Sequence, residues 1–348
     1  MKRRVTVFAG LVLSIALLWW ALRDVAPGEL WLHLRSANPW LLILSVVLAT
    51  GTFLLRAFRW RVLLLPAHPH SHLPARFKSV CIGFMANNLL PLRLGEFARA
   101  YSLSRIEPVQ MSAALASLVV ERLFDGLVLT LFLLPGLWSV RLAGGEDPGI
   151  IWHLALVASV SVAFGLVALW LLVSWPARVL GFVTGRLGRF LPHTAIRRVS
   201  SMMESFVAGL GAIKHPMLFA RVLAWSGLVW LWNAASFWVG FLAFGIGEPG
   251  VRGALFLQTF IGFAVSIPSS PGFFGPFEAA SRLALSAYDV GPARIISFAA
   301  GYHILTFIPV TVLGLWFTHR LGISWSEVEH SEEFAEAAVG YPEAAESP

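Results

Sequence analysis

One cysteine, Cys81, is all the thiol the chain has, which excludes an internal disulfide and any thiolate metal cluster. Charge is scarce as well: Asp, Glu, Lys and Arg make up 13% of the 348 residues, 57% are hydrophobic, and mean hydropathy is +0.74. Such a composition leaves no room for a large soluble domain and places the chain among integral membrane proteins. Histidine is not spaced for zinc, because His68, His70 and His72 alternate in a Pro-rich stretch that reads as a solvated basic loop. No metal or cofactor is expected. The arginines are dispersed among apolar segments and match no binding motif, so nucleic acid is not an expected partner. After Arg320 there are seven glutamates and no Lys or Arg, while the rest holds 26 basic against 12 acidic residues, a formal +14. A basic membrane protein either attracts anionic headgroups or simply obeys the positive-inside rule, and both readings stand.

Apolar runs dominate what is there. Residues 5–22 follow Met1-Lys2-Arg3-Arg4 and end near Trp19-Trp20 without a small-residue cleavage site, which predicts an uncleaved first span. Further spans are predicted at 39–58, 112–137, 150–175, 217–244 and 293–317, six in all. The stretch 23–38 reads as a near-neutral outer loop, and the basic stretches 59–78 and 176–215 as cytoplasmic loops, with a surface amphipathic helix within 196–213. Both termini are therefore expected in the cytoplasm, with an acidic, disordered tail over 326–348.

Two apolar segments are broken. The first, near 77–105, runs into Asn87-Asn88-Leu89-Leu90-Pro91-Leu92-Arg93-Leu94-Gly95-Glu96-Phe97-Ala98-Arg99; the second, near 254–288, into Ser269-Ser270-Pro271-Gly272-Phe273-Phe274-Gly275-Pro276-Phe277-Glu278. Both read Pro-x-x-x-Gly-x-Phe, and both are preceded by Gly-Phe at nearly the same distance (Gly83-Phe84, Gly262-Phe263). Irregular backbone at membrane depth is tolerated only where it is buried in protein or lines a polar cavity. Paired, Pro/Gly-interrupted segments point to a transporter's binding site. The expected fold is thus all-α: six spans plus two re-entrant hairpins hinged at Pro91, Gly95, Pro271 and Gly275. They fall into two inverted-topology halves, 1–148 and 149–325, whose hairpins meet in an Arg-lined cavity.

Candidate binding residues follow from chemistry. Guanidinium forks suit phosphate, which nominates Arg93 and Arg99 around Glu96, or else these anchor the hairpin ends. Asn87 and Asn88 either donate to headgroup oxygens or satisfy carbonyls freed at the break. Glu121, Arg122 and Asp125 lie in one apolar span, where each charge costs about 2.5–3.5 kcal/mol on insertion scales. They either pin helices or place Arg122 on a headgroup path, and Glu121 could carry a coupling proton. Ser269, Ser270 and Gly272 precede a helix N-terminus able to hold an anion, unless Glu278 caps it, and Arg282 pairs with Glu278 or faces the path. Asn233, Gln258, Tyr302 and His303 read as single interhelical hydrogen bonders.

Leu55-Arg56-Ala57-Phe58-Arg59-Trp60, Asn88 to Glu96, Val120-Glu121-Arg122-Leu123-Phe124-Asp125 and Pro271 to Glu278 together resemble the flippase-like family named after the transmembrane region of lysylphosphatidylglycerol synthase, over roughly residues 5–320. The resemblance implies an inner-membrane protein that moves a lipid between leaflets. In the synthases that lipid is phosphatidylglycerol bearing an amino acid, and other relatives are associated with polyprenyl-linked glycan pathways. Cell-envelope biosynthesis enzymes are the partners it suggests. Synthases also carry a soluble aminoacyl-transferring domain, and with about 28 residues after Arg320 that activity is not expected here. An intramembrane phospho- or glycosyltransferase using Glu121 or Asp125, or a non-transporting assembly subunit, are the competing readings.

Overall fold

The computed structural model describes residues 2–142, scattered positions between 156 and 181, 216–266 and 269–334. Among the described residues all regular structure is helical. The predicted span at 150–175 and the surface helix within 196–213 fall largely or wholly outside them, as do residues 335–348 of the tail.

Helix α1 (Lys2–Leu22) turns through 81° into α2 (Pro27–Ser36). The sequence reading expected a loop there. The helix is nonetheless well specified, with Pro27 at its start, Glu29 in the first turn and His33 and Arg35 in the last, each charge opposing the helix dipole. Asn38 caps α3 (Pro39–Leu64) by accepting the N–H groups of Trp40 and Leu41. That helix continues six residues beyond the span boundary expected at Phe58, and Arg56 and Arg59 lie buried among packed helices. The first broken hairpin is α4 (Leu73–Leu89), a 3-10 turn at Pro91–Arg93, and α5 (Gly95–Ile106); α6 (Met111–Leu142) follows.

After the segment around 143–215, α7 (Pro216–Ala243) packs along α3. The second broken hairpin is α8 (Gly250–Ala264), a 3-10 turn at Pro271–Phe273, and α9 (Pro276–Ser286). Helix α10 (Pro292–Arg320) packs on α4, and the short α11 (Trp325–Glu329) follows it. Where disorder was expected after Trp325, α11 is formed and docked: Ser324 and Glu327 make a capping box, Tyr101 donates to Glu327 at 2.6 Å, and Tyr101 stacks on Phe334 at 5.0 Å.

Three helices, α3, α7 and α10, are long and apolar enough to cross a membrane, and the bent pair α1–α2 makes up to four. Six spans were expected; this count is of the described residues, and the predicted span at 150–175 lies largely outside them. Large apolar side chains point outward on these helices, among them Phe8, Ile15, Trp40, Val47 and Val312. Water would penalise such surfaces, and hydrocarbon would not.

Two apolar clusters organise the interior, one around each broken hairpin. Trp60, Ile82, Met85, Leu94, Leu103 and Phe124 belong to the first; Phe241, Phe256, Phe277, Leu285 and Phe298 belong to the second. Close backbone contact fixes the hairpins. A Cβ on Gly95 would lie 2.1 Å from the Gly83 carbonyl oxygen, and one on Gly275 2.2 Å from the Ser14 carbonyl oxygen.

Candidate functional site

The repeated motif folds alike in both hairpins. In each, proline opens a 3-10 turn, the third motif residue takes a left-handed backbone (Arg93 at φ 58, Phe273 at φ 62), and glycine begins or caps the returning helix. The two turns touch, and the Arg93 guanidinium lies 6.0 Å from the centre of the Phe273 ring. Residues Pro91, Gly95, Pro271 and Gly275 therefore sit at the breaks, as the spacing predicts.

Behind the first break lies a buried ionic network. On α6, Ser117, Glu121 and Asp125 are spaced four apart and face inward together. Arg99 of α5 donates to both oxygens of Glu121, at 2.9 and 3.1 Å, and its guanidinium lies 4.0 Å from the Trp60 ring centre. Arg59 of α3 pairs with Asp125, lies 2.9 Å from Glu121 and donates to Ser226 at 3.1 Å. Trp230 donates to Asp125 at 2.7 Å, and Trp60 to Ser117 at 2.8 Å. Arg122 is more exposed and spans Glu96, Glu121 and Asp125 at 3.5–3.7 Å, while Glu96 also pairs with Arg93 at 3.5 Å.

Arg59, Arg99 and Arg122 each leave Nε unpartnered among the described residues, and Arg56, one turn before Arg59, is held only by longer contacts. It is 6% exposed and lies 3.6 and 3.8 Å from Asp125 and Glu121, yet its Nη1 has no hydrogen-bond partner among the described residues. Its guanidinium is flanked by the rings of Phe84 and Trp230, at 5.3 and 5.1 Å. Four guanidinium groups (Arg56, Arg59, Arg99, Arg122) thus meet two buried carboxylates, leaving two positive charges in excess. Adding the Arg93–Glu96 pair does not change that excess. The Arg122 side chain is 36% exposed, so the buried part of this surplus falls on Arg56, and buried charge without a counter-charge is costly.

A cleft of about 190 Å³ opens beside Arg56. Both hairpins line it, through Phe84 and Asn88 from the first and Phe273 and Phe277 from the second; Thr52 and Asn233 add polar atoms from α3 and α7, and His303 does so from α10. Asn88 is held by donation to Thr311 at 2.8 Å, and Asn233 by donation to Gln258 at 3.4 Å.

The sequence candidates divide on this geometry. Arg93, Glu96, Arg99, Glu121, Arg122 and Asp125 come together in or beside the network, and Asn88 faces the cleft. Asn87 instead repairs the break, accepting the Gly95 N–H at 2.8 Å. In the second hairpin, Glu278 caps its own helix by accepting the Gly275 N–H at 2.7 Å, and its other oxygen meets His303 Nδ1 at 2.8 Å. Ser270 is tied to Ser14 and to the Phe274 carbonyl, Gly272 takes a left-handed turn, and Ser269 is buried. Arg282 pairs with Asp24 and with the α1 carbonyls of Trp20 and Ala21, not with Glu278. Arg56, Arg59 and Trp230 were not singled out as site residues, and Asn233, Tyr302 and His303 were read only as packing groups. The i, i+3 pair of arginines in Leu55 to Trp60 was the available signal. Among the described residues, no group of three or more His, Cys, Asp or Glu side chains is placed to hold a metal.

Comparison with known proteins fits this architecture. The chain belongs to the lysylphosphatidylglycerol synthase TM region family, whose pattern it matches over residues 7–314. Glycosyltransferase AglD of Haloferax volcanii is 28% identical over 95% of this chain, but the match spans 57% of that relative's length. A UPF0104 membrane protein of Methanothermobacter thermautotrophicus is 26% identical, with 87% of this chain and 92% of the relative covered. Another, from Methanocaldococcus jannaschii, is 22% identical over 81% of this chain and 84% of its own length. No solved structure matches.

Proposed function

We propose that this member of the family moves an anionic, phosphate-bearing lipid across a cytoplasmic membrane, passing its headgroup through the cleft between the two hairpins. The observation that carries the reading is Arg56: a buried guanidinium lining the cleft, its Nη1 3.6 and 3.8 Å from Asp125 and Glu121 without a hydrogen bond, in a network holding more positive than negative charge. An arginine-lined path offsets the cost of taking phosphate out of water, and the aromatic walls suit the adjoining acyl or prenyl chain. The inverted pairing of two halves, with both termini in the cytoplasm, belongs to the same proposal and supplies a route for alternating access.

A lipid-modifying enzyme is the second reading, favoured by the name of the Haloferax relative, of which the chain spans little more than half. Such an enzyme needs a carboxylate free to act as base or nucleophile. Glu121 and Asp125 are instead both engaged by arginines. Proteoliposomes separate the readings. Wild type should move headgroup-labelled phosphatidylglycerol or a polyprenyl phosphate and return it chemically unchanged. Arg56→Ala should slow that movement about 10- to 100-fold, the equivalent of one charged hydrogen bond at about 1.5–3 kcal/mol. A lipid of altered mass would establish the enzyme, and an Arg56→Ala variant as fast as wild type would refute the role of the cleft.

A further inference from the structure

The ionic network is not the only buried charge beside the cleft. Glu278 is 3% exposed and His303 7%, and they form a pair that the network does not touch. Each member is fixed by a second contact. The Glu278 carboxylate also holds the Gly275 N–H, and the imidazole is stacked between Phe274 and Phe277, with ring centres 4.7 and 4.2 Å away. An ionised carboxylate only accepts, so the proton of the neutral ring sits on Nδ1. Nε2 is then left with a lone pair and no hydrogen-bond partner among the described residues, and His303 lines the cleft.

We propose that His303, oriented by Glu278, takes up one proton at Nε2 as an anionic headgroup occupies the cleft, and gives it up when the headgroup leaves. The inference rests on the anionic-lipid reading above and names what that site binds along with its ligand. The recognised chemistry is a phosphate ester on an apolar chain. Proton uptake converts the neutral ring to an imidazolium with N–H bonds on both sides, one to Glu278 and one to a phosphate oxygen. Arg56 and the protonated ring then both line the bound anion's cleft. Imidazole is the side chain whose ordinary range lies near neutral pH, and buried His–carboxylate pairs recur in membrane proton paths. Glu121, the sequence candidate for a coupling proton, is 0% exposed and locked by Arg59 and Arg99, so it does not serve.

The surroundings leave the pair free to respond. Arg56 of α3 lines the same cleft as His303, and Arg93 of the first break lies over Phe273. At the far end of α9, Arg282 is paired with Asp24, which also meets Arg23; Arg252 of α8 is exposed. On α10, Arg294 pairs with Glu248, and Tyr302 shares a hydrogen bond with Ser236. Asn88 and Asn233 contribute only neutral amides.

Calorimetry on the purified full chain in detergent tests this directly. Dihexanoyl phosphatidylglycerol and geranyl phosphate would be titrated in PIPES and in Tris, whose ionisation heats differ, with dihexanoyl phosphatidylcholine as the zwitterionic control. The phosphatidylglycerol diester does not titrate near neutrality, so uptake in that arm reports the protein. The geranyl phosphate arm is read as the difference between wild type and His303→Gln. Wild type should take up close to one proton per ligand. His303→Gln should take up none while binding about 10- to 100-fold more weakly, the loss of one hydrogen bond to an ion. Equal uptake by the two proteins, or binding by wild type with no uptake, overturns the inference and leaves the lipid reading standing. No binding by wild type overturns both. Should the variant fail to fold, 15N-histidine spectra of wild type decide. One ring must pass from the neutral Nδ1–H form to the doubly protonated form on ligand addition, and no such change refutes the proposal.

Discussion

The two broken hairpins share a backbone plan and differ in how they satisfy it. In both, the N–H of the motif glycine is freed by the break. In the first, Gly95 donates to a neutral amide, Asn87, eight residues upstream; in the second, Gly275 donates to a carboxylate, Glu278, three residues downstream. The first hairpin thereby leaves its charged side chains for the α3–α6 network, and the second spends its one carboxylate at the break and recruits His303 to it. The comparison teaches that one turn geometry supports a buried cationic network behind one break and a histidine–carboxylate pair at the other.

The comparison breaks most severely at Glu121. Glu121→Ala leaves Arg59 and Arg99 buried without their shared partner and should cost about 3–5 kcal/mol, seen as lost yield or a collapsed Tm in detergent. Gly275→Ala ranks next. It combines a 2.2 Å approach to a carbonyl oxygen with φ 98, so overpacking of about 1–3 kcal/mol is joined by backbone strain of similar size. Gly95→Ala meets a 2.1 Å approach without a left-handed backbone and should lose less in the same thermal assay. Asn87→Ala should cost about 1–3 kcal/mol by leaving the Gly95 N–H unpaired, with lipid binding retained in the surviving folded protein.

The smallest effect lies at the C-terminal segment docked on the first hairpin. The hydrogen bond from Tyr101, with the Ser324 cap, holds Glu327 well below the usual carboxylate range, at about 2 against an ordinary 4.5. A depressed carboxylate contributes its stability above the ordinary value and loses it as pH falls towards the folded one. The slight Tm difference between wild type and Glu327→Gln should therefore be constant above pH 4.5 and vanish between 4.5 and about 2.

Much of this was legible in the residues. Pro-x-x-x-Gly-x-Phe, occurring twice, located both breaks, and the cluster at Glu121 to Asp125 announced a buried network. Two kinds of information were hidden. Arg56 and Arg59 looked like the basic end of a span because the charge rule explains arginines there equally well; only the continuation of α3 to Leu64 places them inside. His303 looked like a solitary polar group because its partner is 25 residues away and is brought to it by the return of the second hairpin. Arg282 shows the converse error, since local spacing suggested Glu278 while folding delivered Asp24, 258 positions distant. Helix α2 was missed because ten residues carry too little periodicity, although its terminal charges were all present.

The central claim is that the two breaks meet and that lipid passes between them. Cys81 is buried, so a double variant, Arg93→Cys with Phe273→Cys, offers a thiol pair that a short bismaleimide or disulfide can join with little background. Lipid translocation would be followed in proteoliposomes before joining, after disulfide formation and after reduction. The account predicts movement that stops when the breaks are joined and returns on reduction. Undiminished movement with the bond formed, or thiols that never join, would contradict it.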